Sequence, residues 1–208
     1  MAAPLLAITL PQFSERPGPA LAAAADAQRL SFAGAFVFDH FWPLGAPARP
    51  ALECWTLLAA VAAETGRGPG GFRVGTLVTR AGLRAPALVA RMAATVGQVA
   101  GVPVIVGVGR GDRANRAENL AFGLPFGDSA ERATALEATV TALRGPLAGV
   151  PAPEVWVGGV GPGAHDLAGR AADAWNGWGL TPEELAAGMA GVRRAAERAG
   201  RDPAAVAG

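Results

Sequence analysis

Lysine and tyrosine are absent from this chain of 208 residues, cysteine occurs once and histidine twice. Without lysine there is no Schiff-base catalysis and no P-loop lysine. A lone Cys54 forms neither an intrachain disulfide nor a cysteine zinc cluster, and His40 and His165 are too few for a His-rich metal site. Neither sign of charge dominates. Eighteen basic residues, all Arg, stand against 17 acidic ones for a net charge of +1, so no overall field recruits nucleic acid or an anionic membrane. Long apolar runs are missing as well: the longest uncharged stretch, Met92 to Gly109, is broken by Gly97, Gln98, Gly101 and Pro103 into a helix end, a turn and a strand. The opening MAAPLLAITLPQF has no basic residue before its apolar part and reads as a first strand, not a signal peptide. These absences predict a soluble, cytoplasmic protein.

What is present is an apolar majority. Hydrophobic residues make up 51% and charged ones 17%, which argues against disorder and predicts one domain over 1–208 with a substantial core. Short β-like runs alternate with helical stretches. Strands are expected at Leu6–Leu10, Ala35–Phe38, Phe72–Val78, Pro103–Val108, Glu154–Val157 and Asp173–Asn176. Helices are expected at Pro19–Arg29, Leu52–Glu64, Pro86–Gln98, Asn115–Ala121, Ser129–Leu143 with Ser129 as its cap, and Pro162–Ala171. A last helix opens on the capping box Thr181-Pro182-Glu183-Glu184 and ends at Gly200. Helical periodicity turns Leu57, Leu58, Val61, Leu136, Val140, Leu143, Leu185, Met189 and Val192 inward. The loops are Gly66–Gly71 and Gly145–Pro153. Six consecutive βα units imply a parallel sheet, closed as a barrel or open and doubly wound, and both place chemistry at the carboxyl ends of the strands.

The residues after the strands are titratable or small: Asp39-His40-Phe41-Trp42, Thr76-Leu77-Val78-Thr79, Gly107-Val108-Gly109-Arg110-Gly111-Asp112 and Gly158-Gly159-Val160-Gly161. Glycines there let a planar cofactor or phosphate approach main-chain N–H groups. His40 is the histidine fit for proton transfer. Asp39 points the other way in a strict strand and is not automatically its partner. Asp112 is either a second acid or a helix-start residue. Arg110, Arg113 and Arg116 read as an exposed face and Cys54 as buried and inert. Trp55, Trp156, Trp175 and Trp178 read as core, His165 as surface, and Glu53 as structural or a carboxylate behind the rim.

Several of these segments, in this order, resemble the luciferase-like monooxygenases, particularly the branch that uses the deazaflavin coenzyme F420. They are Phe36-Val37-Phe38-Asp39-His40, Ala51-Leu52-Glu53-Cys54-Trp55-Thr56, Val74-Gly75-Thr76-Leu77-Val78-Thr79, and Val106-Gly107-Val108-Gly109. Further along come Ala121-Phe122-Gly123-Leu124-Pro125-Phe126 with Glu131-Arg132, Val157-Gly158-Gly159-Val160-Gly161-Pro162, Ala172-Asp173-Ala174-Trp175-Asn176 and Gly200-Arg201-Asp202-Pro203. The resemblance implies a TIM-type (β/α) barrel, here with about six of eight βα units, holding F420 or, alternatively, FMN at its carboxyl rim. It implies an oxidoreductase that passes hydride to or from a small organic substrate, with His40, Asp112 and Trp42 at the reacting centre. Asp39 would lie by the ring. Thr76, Leu77 and Val78 would form a bulge behind it, where a non-prolyl cis peptide is often found. Gly107 and Gly109 would border the ring, and Gly158, Gly159, Val160 and Gly161 would receive the phosphate. No metal is implied; the missing strands make self-association, as a homo-oligomer such as a dimer, more favoured than for a complete barrel.

The sequence departs from the family pattern at Arg84-Ala85-Pro86, where a His is lost, at Gly101-Val102-Pro103, and between Leu143 and Glu154, where members carry a longer excursion. Because the chain stops at Gly208, where a seventh strand is due, a non-catalytic cofactor- or partner-binding relative is the alternative. A sugar-phosphate isomerase on the same architecture ranks last for want of a base at a matching strand end.

Overall fold

A computed structural model describes residues 5–66, 71–145, 150 and 152–208. Most of the two glycine- and proline-rich loops lies outside them. In chain order the elements are β1 (Ala7–Thr9), α1 (Gly18–Arg29), β2 (Gly34–Val37), α2 (Cys54–Thr65), β3 (Arg73–Arg80), α3 (Pro86–Ala100), β4 (Ile105–Gly109), α4 (Asn115–Ala121), α5 (Ser129–Arg144), β5 (Glu154–Gly158), α6 (Pro162–Ala171), β6 (Ala174–Asn176) and α7 (Pro182–Arg198).

Every strand pairs in parallel with the next, in the order β1-β2-β3-β4-β5-β6. A doubly wound sheet reverses its strand order at a switch point. This sheet winds one way only, so the open alternative is excluded and the six units form an incomplete TIM-type barrel. Beyond β6, Ala207 makes a parallel bridge with Ala174, receiving the Trp175 N–H and donating to the Asp173 carbonyl.

The strands alternate with period two. Val106, Val108, Val155 and Val157 are fully buried among the helices, as continuously apolar parallel strands should be. Their neighbours Gly107, Gly109, Trp156 and Gly158 fall on the other face, where the rings of Phe36 and Trp156 stand 5.5 Å apart. Leu57, Leu58, Val61, Leu136, Val140 and Leu143 are buried as periodicity requires. The Thr181–Glu184 capping box forms, and Gly101 ends α3 in the left-handed conformation that glycine tolerates.

Four expectations are corrected. Asp128, not Ser129, caps α5, its carboxylate accepting from the Ala130 and Glu131 N–H groups. Leu185 is exposed. The reason is the small-residue contact of α7 with α6: a Cβ on Gly169 would come within 2.3 Å of the Val192 carbonyl, so Gly188, Val192, Ala195 and Ala196 form the buried stripe. Trp178 is 82% exposed, whereas Trp55 and Trp175 are core. His165 is not a free surface group: it lies edge-on to Trp175 with centroids 4.9 Å apart and Nε2 buried without a partner.

Candidate functional site

The carboxyl end of β3 is irregular. Its register against β4 shifts between Thr76 and Thr79, and the Leu77–Val78 peptide is cis, inside the segment for which the family resemblance implies a bulge. The Thr76 hydroxyl donates to the Gly107 carbonyl at 2.9 Å. The Val78 side chain spreads over two neighbouring strands: a Cβ built on Gly107, Gly109 or Gly158 would lie 3.1, 2.6 or 2.8 Å from a Val78 methyl. The expectation that these glycines bare the backbone to a ligand therefore needs correction. On the Cβ side the space belongs to Val78, and the rim presents an apolar surface there.

Past β2 the chain places Asp39 in a buried ionic network. Its carboxylate accepts from Arg84 through two nitrogens at 2.7 and 3.1 Å, from the Thr79 hydroxyl at 2.7 Å and from the Arg80 N–H at 3.0 Å. Arg84 also donates to Glu53 at 2.7 Å, whose carboxylate caps α2 through the Trp55 and Thr56 N–H groups. Such a bidentate, multiply hydrogen-bonded pair is the arrangement in which burial of charge is tolerated. Burial opposes the charge on Arg84, but Asp39 and Glu53 outweigh it and raise its pKa. Burial would likewise raise Glu53, yet its hydrogen bonds to Thr56 and Trp55 and the charge of Arg84 bring it below the usual carboxylate value.

Arg80 links this network to His40. Its Nε donates to the Asp39 carbonyl at 2.7 Å, and its Nη1 donates to Asn119 at 2.9 Å and lies 3.1 Å from Glu118 Oε2. Glu118 is 1% exposed; the same Oε2 is 3.1 Å from His40 Nδ1, and Oε1 accepts from the Phe41 N–H. Asp39 is thus not the partner of His40, in keeping with its strand parity. The acid beside the imidazole is Glu118, on α4. Asp112 is exposed and closes the turn before α4, accepting from the Ala114 N–H at 2.8 Å.

Trp42 and Phe41 both pack on Phe122, with ring centroids 5.9 and 4.4 Å away, and form a half-exposed aromatic shelf beside His40. At the β5–α6 turn, the Trp175 indole N–H donates to the Gly159 carbonyl at 2.7 Å. Because a trans peptide sets C=O and N–H in opposite directions, the Val160 N–H faces away from Trp175. Neither it nor the Gly161 N–H has an acceptor among the described residues. A cavity of about 230 Å³ lies past the carboxyl ends of β3 and β4, between Arg80, Arg110, Asn115, Glu131 and Arg132. Neither His40 nor the glycines of β4 and β5 line it. No cluster of potential metal ligands occurs among the described residues, and no helix described is long and apolar enough to cross a membrane.

Sequence reasoning missed Arg80, Arg84 and Glu118. In Arg84-Ala85-Pro86 the histidine position of the family pattern is Ala85, and Arg84 keeps the basic position, which was the available signal. For Glu118 the available hint was the pair Glu118-Asn119 in a helix too short and too polar to be held by an apolar stripe.

The model of the family described as "Luciferase-like monooxygenase" matches residues 6–207. Phthiodiolone/phenolphthiodiolone dimycocerosates ketoreductase of Mycobacterium sp. (strain JLS) is 32% identical over 178 residues, 74% of this chain and 46% of that protein. The chain thus spans about half the length of that curated relative. Among solved structures, an F420-dependent secondary alcohol dehydrogenase in complex with an F420-acetone adduct superimposes with a TM-score of 0.83 at 22% identity, over 99% of this chain and 67% of that one. The coenzyme F420-dependent tetrahydromethanopterin reductase of Methanopyrus kandleri follows with a TM-score of 0.75 at 20% identity, over 99% and 64%. At these identities the superpositions speak for the fold. The match over 6–207, on strands wound in one direction, decides the family: this chain belongs to the luciferase-like monooxygenases.

Proposed function

We propose that this chain forms the coenzyme-binding part of an oxidoreductase that moves hydride between the deazaflavin coenzyme F420 and an oxygen-bearing carbon of a small organic substrate. The observation that carries the reading is Val78 laid over Gly107, Gly109 and Gly158, one residue from the Thr79–Asp39 hydrogen bond that anchors the segment bearing His40. A planar ring with a phosphate-bearing tail needs a smooth apolar wall and a seat for an anion. Val78 supplies the wall, and the unpaired Val160 and Gly161 N–H groups ahead of α6 supply the seat. The residues fit the group.

In this reading Thr76, Leu77 and Val78, backed by Gly107 and Gly109, hold the ring. The turn Gly158, Gly159, Val160 and Gly161 holds the phosphate through the Val160 and Gly161 N–H groups, the Gly159 N–H being bonded to the Asn176 carbonyl, and Asp39 anchors the rim through Arg84. When bound, the deazaflavin supplies a carbon that accepts or gives up hydride. His40 carries the proton at the substrate oxygen, while Trp42 and the shelf around it exclude water from that side. Asp112 is left outside the reaction because its carboxylate is taken up in its own turn. The F420-dependent dehydrogenase and reductase among the structural neighbours support the choice of coenzyme, and the ketoreductase relative supports alcohol–carbonyl chemistry.

The test is a fluorescence titration of purified protein with F420 and, separately, with FMN. The expected result is at least tenfold tighter binding of F420. Tight FMN binding without F420 binding would move the reading to the flavin branch. Binding without hydride transfer across a panel of secondary alcohols and ketones would leave a cofactor-binding protein without turnover.

A further inference from the structure

Three groups converge on Glu118. The Phe41 N–H meets Oε1, while Arg80 Nη1 and His40 Nδ1 both lie 3.1 Å from Oε2. The first two can only donate. Glu118 is therefore an acceptor on both oxygens, and an ionised carboxylate has no hydrogen to offer Nδ1. The hydrogen between Glu118 and His40 must belong to the imidazole. Burial alone would hold Glu118 above the ordinary carboxylate value, but the bonds from His40 and the Phe41 N–H and the charge of Arg80 bring it below, so it is ionised at neutral pH. Among the described residues no other acid competes for Nδ1: the Asp39 carboxylate is committed to Arg84, Thr79 and the Arg80 N–H. The other ring nitrogen, Nε2, has no partner among the described residues and is not among the buried unpartnered atoms. With the side chain 20% exposed, it is open to solvent.

We infer that Glu118 is a positioning residue, which fixes His40 in its Nδ1–H tautomer and leaves Nε2 as the nitrogen that exchanges a proton with substrate. The catalytic meaning rests on the oxidoreductase reading; the tautomer itself does not. In alcohol oxidation the O–H bond breaks and its proton goes to Nε2. With the coenzyme bound, the deazaflavin would supply the acceptor for the hydride released from the substrate C–H bond, leaving a carbonyl. Glu118 then balances the imidazolium. Reduction runs the same transfers backwards. A carboxylate that orients a catalytic histidine is worth orders of magnitude in kcat elsewhere, about 10⁴ when its loss leaves the wrong tautomer. Arg80 in turn keeps Glu118 in place, and Asp39 and Arg84 hold the backbone on which both depend.

The test uses ring ¹⁵N shifts of the apo protein at a pH where imidazole is neutral. With two histidines the spectrum is simple, and His165→Gln assigns it. In the wild type the His40 ring is expected to show a protonated Nδ1 and a bare Nε2. In Glu118→Ala it should move towards the Nε2–H form that free imidazole side chains favour. His165, held against Trp175, should keep its signals and so report an intact fold. In the coenzyme-loaded enzyme the same variant should lose about 100-fold in kcat, with the coenzyme dissociation constant changed less than twofold. A bare Nδ1 in the wild type overturns the inference, and so does a folded Glu118→Ala with the wild-type tautomer. If Glu118→Ala fails to fold, the wild-type spectrum decides alone. A protonated Nδ1 in a protein that binds neither coenzyme would uphold the tautomer and sink the oxidoreductase reading.

Discussion

Gly109→Ala tests whether the rim glycines exist for a ligand or for Val78. The new Cβ would stand 2.6 Å from a Val78 methyl, about 1 Å inside the optimum for carbon–carbon contact. β4 is paired on both sides, so its backbone cannot retreat without disturbing two ladders. Overpacking of this kind costs about 1–3 kcal/mol, which for a chain of this size lowers Tm by roughly 2–12 °C. Val78→Ala alone, at a half-buried site, should cost about 1 kcal/mol for its lost methyls. Combined with Gly109→Ala it removes the atoms being struck, so the double variant should be more stable than the summed singles by about 1–2 kcal/mol. Urea unfolding of the four proteins without coenzyme measures this cycle. Gly163→Ala is the control: nothing lies within 4 Å of its Cβ and its φ is not in the left-handed region, so it should be neutral or stabilising by up to about 1 kcal/mol. Additive singles, or a harmless Gly109→Ala, would show that the glycine keeps space for something other than Val78.

Arg84→Ala leaves the buried Asp39 carboxylate with the Thr79 hydroxyl and the Arg80 N–H but without its bidentate ion-pair partner, the Arg80 charge alone remaining nearby, and should cost about 3 kcal/mol in denaturant unfolding. Glu118 and Glu53 are held below their ordinary pKa of 4.5 in the folded chain. Their contribution to stability is therefore complete above that value and lost as pH falls through the lowered ones. The unfolding midpoint should hold from neutral pH down to about 4.5 and drop as the pH falls further, and Glu118→Gln should flatten that drop. Cys54 is buried, and burial, with Asp39 and Glu53 nearby, pushes its thiol well above 9.0. A thiol reagent should leave it untouched in the native protein and titrate one thiol after unfolding.

Much of the fold was legible in linear order because its signals are local. Pro86, Pro162 and Pro182 open helices, Thr181 and Glu184 close a capping box, and unbroken β-branched runs such as Val104-Ile105-Val106 mark strands covered on both faces. Asp39, His40 and the glycine turns were legible for the same reason: each follows a strand, and parallel strands put those ends on one rim. Their working partners were not. Glu118 lies 78 residues from His40, and Arg84 lies 45 from Asp39. No periodicity connects positions so far apart, and an arginine in a loop reads as solvated until burial shows that it must be paired. Likewise, that Gly107, Gly109 and Gly158 make room for Val78 depends on the register shift within β3, a property of two strands together. Sequence alone determined which elements form and which residues reach the rim, since capping, periodicity and strand parity act over a few residues. Only the tertiary structure decided which charges meet and which surfaces are filled, because both depend on packing between segments that the chain holds far apart.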